Sequence, residues 1–395
     1  MWHKLLNKLH GDRYIWLIVG LLSIFSILAV YSSTGTLAFK YKGGNTEFYL
    51  FKHFGLMVFG FILMYLAHMA NYRIYSRLAQ LLLVISIPLL VFTLFFGADI
   101  NDAKRWITLP GINISFQTSD LAKLALIMYT ARYLSKNQAH VNDFRTGFLP
   151  IILVIGLVCA LIAPADLSSA VVLFMTCMLI LFIGRIHIKY LLATGVAGGF
   201  LLAFVILLAF TFPDVGRLGT WKNRIESFTT EQEPSYQVVQ SKIAIAEGGI
   251  IGKGPGNSSQ RNYLPHPYSD FIFSIIVEEY GLVGATTILM LYLAFLYRTV
   301  KIVIKSPGAF GALLAAGLAF SLVIQALVNM GVAVNLLPVT GLTLPLISMG
   351  GTSLWFTSLA IGIILSVSHY IESNQQQHEE ETASLTDEQL AQQAA

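Results

Sequence analysis

The stretch Tyr14-Ile15-Trp16-Leu17-Ile18-Val19-Gly20-Leu21-Leu22-Ser23-Ile24-Phe25-Ser26-Ile27-Leu28-Ala29-Val30-Tyr31-Ser32-Ser33 contains no charged residue. At 1.5 Å of rise per residue such a run spans about 30 Å as a helix, the thickness of a bilayer's hydrocarbon core. Runs of the same kind recur to residue 371. Ten spans can be read, at 14–33, 49–70, 77–97, 119–137, 148–164, 167–184, 189–212, 270–297, 308–331 and 350–371. They are unbroken apolar stretches rather than short segments of alternating hydrophobicity, which argues against an outer-membrane barrel. Over the whole 395-residue chain, 55% of residues are hydrophobic and 12% charged, about half the charge of a soluble domain. Mean hydropathy is +0.69. The expected fold class is therefore an all-α polytopic membrane protein of about ten transmembrane helices.

Orientation follows from the basic residues. With the N-terminus inside, cytoplasmic segments hold 13 of the 25 Lys and Arg, whereas the short outer loops hold four: Lys40, Lys42, Lys104 and Arg105. The positive-inside rule then places both termini in the cytoplasm. Spans 7 and 8 are joined by one long extracytoplasmic loop, 213–269. The basic N-terminus leads into the first span with no small-residue cleavage pattern, which predicts a retained helix. The chain divides into a membrane domain, 1–372, and an acidic tail, 373–395, expected to be disordered and cytoplasmic. The stretch Pro338 to Gly351 suits a re-entrant segment as well as a plain loop. Cys159 and Cys177 lie in spans without ligand spacing, and the nine histidines form no HxxxH pair, so no metal site is expected from them.

The long outer loop far exceeds the usual connection of about 4–6 residues. It mixes cations, amides and aromatics, among them Arg217, Trp221, Arg224, Gln240, Lys253 and Gln260, with glycines at 248, 249, 252, 254 and 256. Elimination sharpens the carboxylates. Of 21 acidic residues, five lie in or against the membrane: Asp120, Asp166, Asp270, Glu278 and Glu279. Such groups cost about 2.5–3.5 kcal/mol on insertion scales, so each is a candidate. Asp120, Asp166 and Asp270 fall at outer ends of spans. Asp120 and Lys123 share a helical face at i, i+3 and read equally as a self-satisfied pair or as ligand contacts. Lys104, Arg105 and Trp106 precede them and suit a phosphate and a sugar face. Glu278 and Glu279, about 12–13 Å inward of Asp270 along a continuous helix, read as structural.

At these residues the chain resembles the SEDS proteins (shape, elongation, division and sporulation), the FtsW and RodA group. The resemblance rests on Tyr263 through Phe273 (YLPHPYSDFIF) followed by Glu278-Glu279-Tyr280-Gly281, on Tyr31-Ser32-Ser33, Arg105-Trp106, Gln117 to Lys123, Tyr236-Gln237 to Gly254, and Leu337-Pro338 through Ser348 to Gly350-Gly351. The run Gly341-Leu342-Thr343-Leu344-Pro345 looks more like the division member than the elongation member. His266, Asp120, Met349 and Asp166-Leu167-Ser168-Ser169 depart from the usual pattern, and Asp270 does not.

The resemblance implies a peptidoglycan glycosyltransferase of the bacterial cytoplasmic (inner) membrane that polymerises lipid II at its outer face during septal wall synthesis. It also implies an FtsI-like class B penicillin-binding protein and other divisome membrane proteins as partners, and no nucleic acid. Asp270 takes the catalytic position, as general base on the acceptor 4-hydroxyl. Substrate contacts are expected at Lys104, Arg105, Trp106, Asp120, Lys123, Arg217, Arg224, Gln240, Lys253, Gln260 and Ser348, with Lys123 and Arg105 foremost among the diphosphate cations. No clustered metal ligands are evident, although a divalent cation (Mg or Mn) bridging Asp270 and diphosphate fits the chemistry. Competing readings are a lipid II flippase or other transporter, an elongation-type role in the same family, and a non-catalytic scaffold. The gathering of polar residues at one outer edge, without an internal repeat, favours surface chemistry over transport.

Overall fold

Asp12 opens the first span by accepting the backbone N–H of Tyr14 (2.9 Å) and of Ile15 (3.2 Å), satisfying two groups that a helix start leaves unpaired. The structure, a computed structural model, describes residues 11–100, 103–108, 115–229 and 235–394. Helices α1 (Arg13–Ser33), α2 (Gly35–Lys42), α3 (Thr46–Met69) and α4 (Tyr72–Phe96) are followed by a three-stranded antiparallel sheet of β1 (Ala98–Ile100), β2 (Ala103–Thr108) and β3 (Ser115–Gln117). Then come α5 (Thr118–Lys136), α6 (Leu149–Ile162), α7 (Leu167–Ile183), α8 (Ile188–Thr211), α9 (Leu218–Thr229), α10 (Tyr236–Gly248), α11 (Ile272–Lys305), α12 (Ala309–Ala333) and α13 (Thr352–Ala394).

All ten expected spans are helices. Among the described residues, eight helical segments are long and apolar enough to cross a membrane by length and composition, and α7 is a shorter apolar helix. The tenth, α5, carries Asp120, Lys123, Arg132 and Lys136, which lowers its hydropathy. It is nonetheless buried almost all round, at Thr118 to Asp120, Ala122, Leu124 to Met128, Thr130, Ala131 and Leu134. Together with α12 and α13 it forms the core of the bundle, whereas α8 is buried only at Leu191 and Ala209. Gly11 N–H donates to Glu372 (2.8 Å) and Arg298 pairs with Asp12, so the start of α1 and the far parts of α11 and α13 meet at one end of the bundle.

Four features differ from the sequence reading. The small sheet interrupts an otherwise helical chain, because β2 pairs Trp106 with Gln117 of β3 and leaves no length for a helix before α5. The long loop is not featureless: it contains α9 and α10. Residues 373–395, expected as a disordered tail, continue α13 to Ala394, consistent with a Gln-, Glu- and Ala-rich segment that has no Gly or Pro after Gly362. Finally, α11 breaks at Gly281 (φ 65°, ψ −162°). The 24 residues from Leu282 to Lys305 still measure about 36 Å, enough to span a bilayer alone. Glu278 and Glu279 lie before the break, on the short helical segment that starts at Ile272, and the span proper begins after them.

Candidate active site

The backbone from Tyr268 to Asp270 is held at three successive carbonyls. Tyr268 accepts from Met349 N–H (2.9 Å), Ser269 from the Ser348 hydroxyl (2.6 Å) and Asp270 from the Asn329 amide (2.8 Å). The Asp270 carboxylate is half-buried and its Oδ1 accepts from the Ser269 hydroxyl at 2.7 Å. Its Oδ2 looks onto Gly341: a Cβ built there lies 3.6 Å from Oδ2 and 3.9 Å from Arg224 Nη2. Gly341 has φ +75°, a conformation glycine adopts freely. Carboxylate and guanidinium thus flank the same small space.

Arg224 is brought there by α9 and donates through Nη1 to the Thr340 carbonyl (3.3 Å). Burial lowers its pKa, the charge of Arg105 lowers it further, and Asp166 and Asp270 act in the opposite direction. Arg105 reaches across from β2, donating to the Ala165 carbonyl (2.9 Å) and pairing with Asp166 (3.1 Å). Arg217 also donates to the Ala165 carbonyl. Asp166 itself caps α7 through Ser169 N–H (3.1 Å) and the Ser169 hydroxyl (2.8 Å). Asp166, Asp270, Arg105, Arg217 and Arg224 therefore gather at the loop end of the bundle. An anion entering there finds guanidinium groups suited to bidentate oxygens.

Asp120 and Lys123 form their own pair at 2.7 Å, both largely buried. They line a cavity of about 50 Å³ between α5, α12 and α13, with Ser321, Gln325, Ser353, Phe356 and Thr357. Asp120 Oδ2 is buried without a hydrogen-bond partner. At about 10–15 Å³ for each water the cavity has room for roughly three to five waters. Of the two readings of this pair, the ion pair is present, and the open carboxylate oxygen leaves the ligand reading compatible with it.

Two of the expected substrate contacts, Lys253 and Ser348, have side chains bonded within the protein. Lys253 binds Glu247, Ser259 (2.9 Å) and Glu278 (2.7 Å). The Ser348 hydroxyl serves the Ser269 carbonyl and the Leu344 N–H, whereas Gln260 binds Glu278 through its backbone N–H (3.3 Å) and its side-chain Oε1 is buried without a partner. The physical reason is that Glu278 is wholly buried, and a buried carboxylate without donors costs several kcal/mol. Glu278 binds Lys253, Ser258 and Ser259 of the loop, and Glu279 accepts from the Ser32 hydroxyl and the Ser258 N–H (3.4 Å), so both tie the loop to the bundle. The loop backbone comes so close that a Cβ on Gly252 would lie 2.2 Å from the Glu279 carbonyl oxygen, and one on Gly281 2.3 Å from that of Ile250. Lys104 stands on β2 opposite Asp99, Trp106 is half-buried beside it, and Gln240 is half-buried on α10. Among the described residues no group of three or more His, Cys, Asp or Glu could hold a metal ion.

The sequence reading missed the residues that hold the turn from Leu342 to Met349. Asn329 donates to the Leu342 carbonyl (2.7 Å), Gln325 to Thr343 (2.9 Å), Tyr292 to Pro345 and Ser26 to Ile347 (2.8 Å), with His53 Nε2 2.8 Å from the same Ser26 hydroxyl. Irregular backbone inside a membrane bundle needs such partners. The signal was available: Gln325 and Asn329 are amides one turn apart in an otherwise apolar span.

Known proteins match the chain in sequence and in fold. A family model described as cell cycle protein, covering FtsW, RodA and SpoVE, matches residues 12–373. The chain is 33% identical over 368 residues to stage V sporulation protein E of Bacillus subtilis, covering 92% of this chain and 98% of that one. It is 37% identical over 376 residues to the probable peptidoglycan glycosyltransferase FtsW of Geobacter metallireducens, covering 92% and 96%. Among solved structures, a chain of a peptidoglycan synthase complex superposes with a TM-score of 0.72 at 25% identity, over 91% of this chain and 98% of that one. The rod shape determining protein RodA of Thermus thermophilus gives 0.67 at 26% identity, over 92% and 98%. With one family model running from the start of α1 to the membrane end of α13, the chain belongs to the FtsW, RodA and SpoVE family of cell cycle proteins.

Proposed function

We propose that the chain is a peptidoglycan glycosyltransferase that polymerises lipid II at the outer face of the bacterial cytoplasmic membrane, at the division septum. The observation that carries the reading is that Asp270 Oδ2 and Arg224 Nη2 both come within 4 Å of a Cβ built on Gly341, which brings a carboxylate and a guanidinium to one glycine. Asp270 takes the proton from the 4-hydroxyl of the acceptor sugar. The freed oxygen forms a bond to the donor's anomeric carbon, with inversion, as the bond from that carbon to the lipid diphosphate breaks. Arg224, with Arg105 and Arg217, receives the diphosphate charge. Lys123 is a second cation within the bundle, available through its cavity. The protein offers one carboxylate at the reaction centre, so a magnesium or manganese ion there would take its other ligands from diphosphate and water.

The relatives named as probable peptidoglycan glycosyltransferases support the activity, and the likeness to a chain of a peptidoglycan synthase complex supports a class B penicillin-binding protein as partner. Other divisome membrane proteins complete the expected assembly. The decisive experiment reconstitutes the purified chain in liposomes with labelled lipid II and scores both glycan strands and transfer between leaflets. Strands without transfer are expected. Transfer without strands would make the protein a flippase and end the polymerase reading.

A further inference from the structure

We propose that Asn329 is a positioning residue for strand synthesis: its amide sets where the Asp270 carboxylate stands relative to Arg224. This inference rests on the reading of Asp270 as the base.

Asn329 is buried, 1% exposed, in the apolar helix α12. Its Nδ2 donates to two carbonyls that belong to different segments, Asp270 at 2.8 Å and Leu342 at 2.7 Å. Both partners are acceptors only, so the side-chain orientation is fixed: the nitrogen has to face them. Leu342 follows Gly341, which both Asp270 Oδ2 and Arg224 Nη2 approach, and Gly341 follows Thr340, whose carbonyl accepts from Arg224 at 3.3 Å. One amide therefore joins the backbone of the base to the short segment that holds the cation.

The other ties to this turn do something different. Gln325, Tyr292 and Ser26 each grip a carbonyl of the turn and none of them bonds to residues 268–270. Ser348 and Met349 bind Ser269 and Tyr268, from the far end of the turn. Asn329 alone among these bonds Asp270 itself. Its Oδ1, moreover, is buried without a partner. An apolar side chain of the same size would avoid that penalty, so the two donations are what the amide supplies.

Misplacing a reacting group by about 1 Å costs on the order of 100-fold in rate. The test measures strand synthesis from lipid II by the full-length chain in lipid. Asn329→Leu, similar in volume and without donors, is expected to lower kcat about 100-fold while KM stays within about threefold. Ser26→Ala, which cuts a tie to the turn but none to Asp270, is expected to keep kcat within about threefold. In an Arg224→Gln background the further loss from Asn329→Leu should shrink to under about fivefold, because the spacing it sets no longer matters. An unchanged kcat, or the full loss repeated in that background, overturns the proposal. If Asn329→Leu does not accumulate as folded protein, Asn329→Ser, with one donor left, is held to the same coupling criterion. Asp270→Asn separates the two levels. Full activity there removes the base reading, whereas an inactive Asp270→Asn beside an unimpaired Asn329→Leu leaves the base in place and refutes this inference alone.

Discussion

Two carboxylates stand about two helical turns apart along one stretch of chain and live in opposite surroundings. Glu278 is wholly buried and saturated: its Oε1 accepts from Lys253 (2.7 Å), Ser259 N–H (2.9 Å) and the Ser259 hydroxyl (2.9 Å), and its Oε2 from the Ser258 hydroxyl and Gln260 N–H (3.3 Å). Asp270 is half-buried, with a single hydroxyl on Oδ1 and the Arg224 guanidinium beside the same Gly341 that its Oδ2 approaches. A carboxylate with every lone pair engaged can hold a loop and has no capacity left for a passing proton. One that is rigidly placed but sparsely bonded can accept a proton and return to its charged form. On the proposed function, the same residue chemistry gives architecture in one place and reactivity in the other, and the number of donors decides which.

The sharpest way to break this comparison is to empty the saturated site. Glu278→Ala leaves Ser258, Ser259, Gln260 and Lys253 facing a dry gap and is expected to cost roughly 3–5 kcal/mol, read as a lower thermal midpoint of the purified protein. An unchanged midpoint would show that the loop is held by something else. Gly252→Ala comes next. Its φ of +90° and a Cβ 2.2 Å from the Glu279 carbonyl oxygen force the loop away from α11, at a cost of about 1–3 kcal/mol, with faster proteolysis within 249–261 as the readout.

A third pair, Asp120 and Lys123, lies between the extremes, being salt-bridged yet having one open carboxylate oxygen. Lys123→Ala should lower turnover roughly tenfold, about 1.4 kcal/mol, and leave membrane insertion intact; unchanged kinetics would assign the pair to structure. The smallest effect concerns pH. Glu247, hydrogen-bonded by Lys253, has its pKa held below the usual 4.5. Its contribution to loop stability is therefore present above that value and fades as pH falls through the lowered one. Loop proteolysis should be flat from pH 7 to 5 and rise modestly only in more acid solution.

The ten helices were legible because apolar length is a composition signal, and the loop-end carboxylates were legible because charge in a membrane is rare. The break in α11 was not, since Gly281 changes a dihedral angle and leaves hydropathy untouched. The pairing of Lys253 with Glu278 was not legible either, because a loop sequence does not show that it folds back onto a buried glutamate. Arg224 was named without its importance being visible: only the path of α9 brings it beside Gly341. Asn329 carries a legible signal of its own, since a buried amide in an apolar span calls for partners as surely as a charge does.

The central claim is that Asp270 carries the proton in strand synthesis, and Asp270→Asn tests it with almost no change of shape. The purified variant given lipid II is predicted to lose glycan-strand synthesis by about 10²–10⁴-fold with its thermal midpoint unchanged. Strand formation at a near-normal rate would contradict the account.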